Sequence, residues 1–145
     1  MKNYCTIFDK NYLYQGVALY NSLKKVSKKF YLFALCMDEI SFTLIKKLNF
    51  KNLKPHKIED INNNDLKLME SKTTFGQFCW CSQPFFCSYL IEKYNLKIIT
   101  YIESDSLFFS DAKPLFDELG NKSVTLSPHN YHPKHDQSNI SGTFC

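Results

Sequence analysis

Arginine is missing from this chain: all 18 basic side chains are lysine, and against 14 carboxylates they leave a net charge of +4. A planar guanidinium that clamps phosphates bidentately or reads guanine edges is therefore unavailable. The lysines are also scattered, apart from Lys24, Lys25, Lys28 and Lys29, which suit a solvated helix end and turn. A nucleic-acid binder is disfavoured on this pattern, and an anionic ligand would have to be held by backbone N–H groups, a metal or single lysines. No apolar run approaches the length that crosses a bilayer. The N-terminus goes directly into a strand-like run, without the charged and then long apolar regions of a secretory signal, which implies a cytoplasmic protein. Cys79, Cys81 and Cys87 crowd one segment, but no second matching pair gives zinc-finger spacing. With Cys5 and Cys36 in apolar runs, the cysteines read as reduced thiols. Repeats, low-complexity tracts and linkers are likewise lacking, so residues 1–145 read as one domain.

What the chain does have is aromatic side chains, 16% of residues, with 13 Phe and 9 Tyr. Such a chain buries large rings and is not disordered. Strands are expected over residues 4–8 and 30–36, the second covered on both faces. A helix is expected over 12–25, with Asp9 as its cap, and another opening at Asp38 and Glu39. A short strand near 56–59 and a helical turn over 66–70 follow. A long helix ends at Tyr94, with Pro84 placed in its first turn because an interior proline would kink it. An apolar strand over 98–102, a short helix over 114–119 closed by Gly120, and a strand over 123–126 complete the pattern. Alternating strands and helices imply a mostly parallel, Rossmann-like α/β sheet flanked by helices.

The feature richest in chemistry is Glu103-Ser104-Asp105, which follows the apolar run over 98–102. Ligands of open α/β sheets gather outside the carboxyl ends of strands. Two carboxylates one residue apart at such a place can hold a hard divalent cation, and through it a diphosphate. The same pair can also simply solvate a strand end. Residues 127–138 read as a polar active-site or surface loop; its three histidines lack the periodicity of a ligand set.

Four stretches together resemble the nucleotide-diphospho-sugar transferases of the GT-A fold, the glycogenin and galactosyltransferase-like group. They are residues 4–12, residues 16–23, Trp80-Cys81-Ser82-Gln83-Pro84, and residues 100–111 with the carboxylate pair and a trailing Phe108-Phe109. The resemblance implies a hexosyltransferase that moves sugar from a nucleotide-diphosphate donor, UDP-sugar first among them, to a sugar or lipid-linked acceptor. It implies Mn²⁺ or Mg²⁺ on Glu103 and Asp105, and donor contacts from Thr6, Phe8, Tyr12, Ser104, Asp105 and His129. For Thr6, Phe8 and Tyr12 the alternative is core packing. Trp80 is expected to be structural, packed under the sheet.

The chain also departs from the family pattern. Glu103 replaces the usual first Asp, Cys81 replaces a Thr, and Thr73 and Gln77 stand where relatives often carry Arg and Glu. Relatives continue well past residue 145, so the sequence reads as the N-terminal, donor-binding part of a GT-A domain, apparently truncated. The alternative is an inactive relative serving as a binding module.

Overall fold

The structure, a computed structural model, describes residues 1–124. These residues fall into two units, one spanning Met1–Asp111 and a second beginning at Ala112.

The first unit is built on a four-stranded, wholly parallel sheet in the order β3-β2-β1-β4. Strand β1 (Lys2–Phe8) and β2 (Phe30–Cys36) pair along their full lengths, from Lys2 opposite Phe30 to Phe8 opposite Cys36. Both are almost entirely buried, as parallel strands covered on two faces must be. Between them α1 (Leu13–Val26) buries Gly16, Leu19, Tyr20 and Leu23 and ends in Lys24 and Lys25, cations placed against the negative end of the helix dipole. Gly16 is required sterically, because a Cβ there would meet the Phe8 ring at 2.5 Å. Asp9 does not cap α1. Its carboxylate accepts hydrogen bonds from the Asn11 and Tyr12 amides in the preceding turn, and α1 starts at Leu13 without a side-chain cap.

Asp38 does cap α2 (Glu39–Leu48), accepting from the Ser41 amide, and the helix closes on Asn49 in the left-handed conformation at φ 47°. Strand β3 (Leu53–Lys57) lies earlier than expected and contains Pro55. A proline without an N–H is tolerated there because β3 is the sheet edge. Helix α3 (Asn64–Lys72) is longer than the expected turn, since Asn63 caps it through the Asp65 and Leu66 amides.

Helix α4 (Phe75–Tyr94) corrects a second expectation: Pro84 is inside it, not in its first turn. Thr74 and Gln77 form a reciprocal capping box that starts the helix at Phe75, well before the proline. Its buried face, Phe78, Ser82, Phe86 and Leu90, packs on Cys5, Ile7, Phe33 and Leu35 of the sheet. Strand β4 is only Thr100–Tyr101, beside Tyr4 and Cys5 of β1. Residues 98 and 99 do not join the ladder, because the chain is still leaving the left-handed turn at Asn95 that closes α4. Ile102 extends the pairing by donating its amide to the Cys5 carbonyl at 2.9 Å.

In the second unit, α5 (Lys113–Leu119) carries Pro114 in its first turn, pairs Lys113 with Asp117, and ends at Gly120 with φ 53°. Ser123 and Val124 are not in a ladder. The rest of the strand expected over 123–126 lies outside the described residues, as do the polar loop and Cys145. Among the described residues no helix is long and apolar enough to cross a membrane. All five described cysteines are free thiols; Cys5 and Cys36 are buried, and the other three are half-buried.

His56 of β3, 2% exposed, sits between β2 and the end of α4. Tyr89 and Tyr94 bring their hydroxyls to 3.4 Å and 3.3 Å from its two ring nitrogens, and Asp60 stands 3.4 Å from Nδ1. Burial pushes its pKa down to about 4, helped by Lys93 and Lys54 and opposed by Asp60. The folded value is thus below the unfolded one of 6.5. Above pH 6.5 neither state binds the proton; as pH falls toward 4 only the unfolded chain does, and stability is lost. The full effect is about 3 kcal/mol. Denaturant titrations between pH 7 and pH 5 should show this slope, and His56→Phe should flatten it. Parallel curves for the two proteins would contradict a neutral buried imidazole.

Candidate functional site

The strand order fixes where a ligand can sit. From β1 the chain moves outward through β2 and β3, then returns to place β4 on the other side of β1. The loops leaving β1 and β4 therefore diverge, and a crevice opens between their carboxyl ends. A cavity of about 520 Å³ lies there, within the size range of small-molecule sites. Ile7, Phe8, Asp9, Asn11 and Tyr12 line it from β1 and the following loop; Tyr101, Glu103, Ser104 and Asp105 line it from β4. Its third wall is the first half of α4, through Phe75, Gly76, Cys79, Trp80 and Gln83.

The two carboxylates are held differently. Glu103 accepts from the Tyr101 hydroxyl at 2.9 Å through Oε2, and from the Gln83 amide nitrogen Nε2 at 3.2 Å through Oε1. Burial, then the charge of Glu103, pushes the Tyr101 phenol well up, so it remains a donor to that carboxylate. Asp105 is exposed, and among the described residues no hydrogen bond or ion pair engages its carboxylate. The turn carrying both is anchored on either side. Ser106 donates to the Glu103 carbonyl, the Phe108 amide donates to Ser22 Oγ of α1 at 3.0 Å, and the Phe108 ring packs against Tyr4. Ser104, between the carboxylates, is buried.

The facing loop is fixed from the far side. One oxygen of Asp38 caps α2 through the Ser41 amide at 2.8 Å, and the other accepts the Lys10 amide at 2.6 Å. Partial burial raises the Asp38 pKa, but these amide hydrogen bonds outweigh it and hold the carboxyl below its usual range. Asp9 then organises Asn11 and Tyr12 through its own carboxylate. Asp38 is not part of the cavity wall, yet it ties down the segment that is.

Several expected residues are placed differently from one another. Phe8, Tyr12, Glu103, Ser104 and Asp105 share the cavity. Thr6 does not line it: its side chain is wholly buried, and among the described residues its Oγ1 has no hydrogen-bond partner. His129 lies outside the described residues. Trp80 is a correction. It is not packed under the sheet but 68% exposed, on the flank of α4 away from Phe78, Ser82 and Phe86. Gln77 serves the capping box, and Thr73 donates to the Met69 carbonyl of α3, so both close helix ends. The reading of the sequence alone missed Asp9, Asn11, Phe75, Gly76 and Gln83. The spacing Gly76, Trp80, Gln83, three residues on one helix flank, was the available signal. Among the described residues, no three His, Cys, Asp or Glu side chains gather as a metal cluster.

No family model matches the chain. It is similar to two proteins of Bacillus subtilis (strain 168). It is 34% identical over 125 residues to the uncharacterized protein YfnF, which covers 86% of this chain and 41% of that protein. It is 23% identical over 133 residues to the uncharacterized protein YfnD, covering 91% of this chain and 43% of that one. The chain thus spans less than half the length of these relatives. Among solved structures it is similar to the apo-form glycosyltransferase GlyE of Streptococcus pneumoniae TIGR4, with 17% identity, a TM-score of 0.45, and coverage of 88% of this chain and 27% of that one.

The two jobs of Asp38 can be separated. A serine at this position still caps a helix but leaves no second oxygen for Lys10. Asp38→Ser should therefore keep global stability within about 0.5 kcal/mol. Amide hydrogen exchange at Lys10 to Tyr12 should accelerate about tenfold, from the ~1.5 kcal/mol of a charge-assisted hydrogen bond. Unchanged exchange in that variant would show that the loop does not depend on Asp38.

Proposed function

We propose that this chain is the donor-binding part of a metal-dependent glycosyltransferase that uses a nucleotide-diphospho-sugar, with UDP as the nucleotide. One observation carries the reading: Glu103 and Asp105 stand on a single cavity wall at the switch point of the sheet, the first oriented by Tyr101 and Gln83 and the second open. The residues present fit a hard cation. Both donors are carboxylate oxygens, and Mg²⁺ is commonly held by one or two carboxylates with the remaining positions left to phosphates and water. Mn²⁺, which also favours oxygen ligands, suits the same pair. When bound, such an ion acts as a Lewis acid on a diphosphate leaving group.

The chain's own residues supply binding and orientation. The Tyr12 ring, 53% exposed on a loop tied down by Asp38, offers a stacking face for a nucleobase, and the Asn11 side chain beside it offers polar groups to the base or ribose. Ser104 places its neighbours by being buried between them. His129 is retained as a candidate donor contact from the sequence resemblance. The lack of arginine makes the cation more important, since no guanidinium stands in for it.

Calorimetry with UDP tests this directly. UDP should bind in the presence of Mn²⁺ and not in its absence. Asp105→Ala should weaken that binding roughly a hundredfold, about 2.7 kcal/mol, with an unchanged denaturation midpoint. Equal UDP affinity with and without the metal would refute the assignment.

A further inference from the structure

We infer that Trp80, with Gly76 beside it, forms a stacking ledge for the hexose ring of the nucleotide-sugar donor. The inference rests on the donor-binding reading above and adds to it the place where the sugar lies.

The flank of α4 that faces the cavity is a graded strip. Gln83 touches Glu103, and so marks the end of the strip next to the carboxylates. Trp80 lies one turn closer to the N-terminus, about 5 Å along the helix axis. Gly76 lies one turn further. A group joined to a diphosphate at the carboxylates therefore comes within reach of the indole. The two sides of the cavity differ in chemistry. The loop side offers Asp9 and Asn11 together with Tyr12, hydrogen-bonding groups beside a ring, which suits a base whose edges must be satisfied. Before Gln83 the α4 side offers no ionic or amide side chain, only Phe75, Gly76, Cys79 and Trp80. Burial, then the nearby Asp9 charge, raises the Cys79 pKa, so this thiol stays a small apolar neighbour.

An indole that is 68% exposed at a cavity wall, in a cavity that Phe75 at 55% also lines, has apolar surface to lose to a ligand. The face of a hexose that carries mainly C–H bonds complements the negative face of an aromatic ring. Gly76 leaves room for it: a Cβ built there meets nothing within 4 Å, so packing against the protein does not require glycine. Its bare Cα thus leaves an open floor beside the ring, on the first turn of α4.

Trp80 is the only tryptophan in the chain, so intrinsic fluorescence reports on it alone. With Mn²⁺ present, UDP-glucose or UDP-galactose should blue-shift or quench the emission, whereas UDP should leave it nearly unchanged. Trp80→Ala should cost the UDP-hexose about tenfold in affinity by calorimetry, ~1.4 kcal/mol, while UDP stays within about twofold. Trp80→Phe should recover most of the loss, and Gly76→Leu should abolish the advantage of UDP-hexose over UDP in a protein that is folded by circular dichroism. If UDP binds with metal but the hexose donors leave the emission unchanged, or UDP shifts it equally, the ledge is wrong and the donor-binding reading stands. If no nucleotide binds with metal, both fall.

Discussion

Everything at the cavity depends on β1 being hydrogen-bonded on both sides in parallel register. Its amides and carbonyls are shared between β2, along all seven residues, and the short β4. Because the chain reaches these neighbours by opposite routes, the loops after Phe8 and Tyr101 separate, and backbone geometry alone opens a crevice at that point. Lengthening or shortening β1 by one residue would turn Phe8 to the opposite face and remove it from Gly16, the residue whose bare Cα accepts its ring. The cavity is in this sense a consequence of sheet pairing, and the side chains only specify what enters it.

Two tethers, one from each face of the sheet, turn this crevice into a site of defined shape. From the α2 side, Asp38 holds the Lys10 amide; from the α4 side, Gln83 holds Glu103. The tethers spend acceptor capacity unequally. Glu103 has both oxygens engaged by Gln83 and Tyr101, so its direction is set before any ligand arrives, while among the described residues no hydrogen bond or ion pair engages Asp105. A pre-aimed carboxylate beside an adjustable one suits a cation that must also accept phosphate oxygens, since outer partners that orient a ligand normally strengthen it.

Most of the sheet was legible because strand pattern and packing agree. β2 runs over the residues its apolar content indicates, and β1 differs only by including Lys2 and Asn3. The misreadings came where a local rule was weighed without its competitor. Pro84 was allowed to start α4, although the Thr74 and Gln77 pair is a stronger start signal and the proline sacrifices one hydrogen bond in a 20-residue helix. The strand expected near 56–59 starts instead at Leu53 and runs through Pro55, which an edge strand tolerates. Trp80 was read as core because large rings usually are. The helix phase set by Phe78, Ser82 and Phe86 puts it elsewhere, and that phase cannot be assigned until the helix start is known. The carboxylate pair was visible from spacing. Its supports, Gln83 and Tyr101, were not, because nothing in a linear pattern brings residue 83 to residue 103.

Helix α4 connects the two halves of this picture. Its N-terminal half presents Gly76, Trp80 and Gln83 to the cavity, and its C-terminal half presents Tyr89 and Tyr94 to His56. Both halves are seated on the sheet, the first by Phe78 and Ser82 and the second by Phe86 and Leu90. A neutral imidazole is compatible with that anchoring; a charged one in the same apolar setting is not, and its cost would fall on the packing of α4 against β2 and β3. The flank that forms the cavity wall is turned away from that seat, with Phe75 and Trp80 exposed and Gln83 tied to Glu103 at 3.2 Å. Positional precision at the site therefore comes from the buried face of the same helix, Phe78 and Ser82 opposite the cavity flank and Phe86 and Leu90 beyond Pro84.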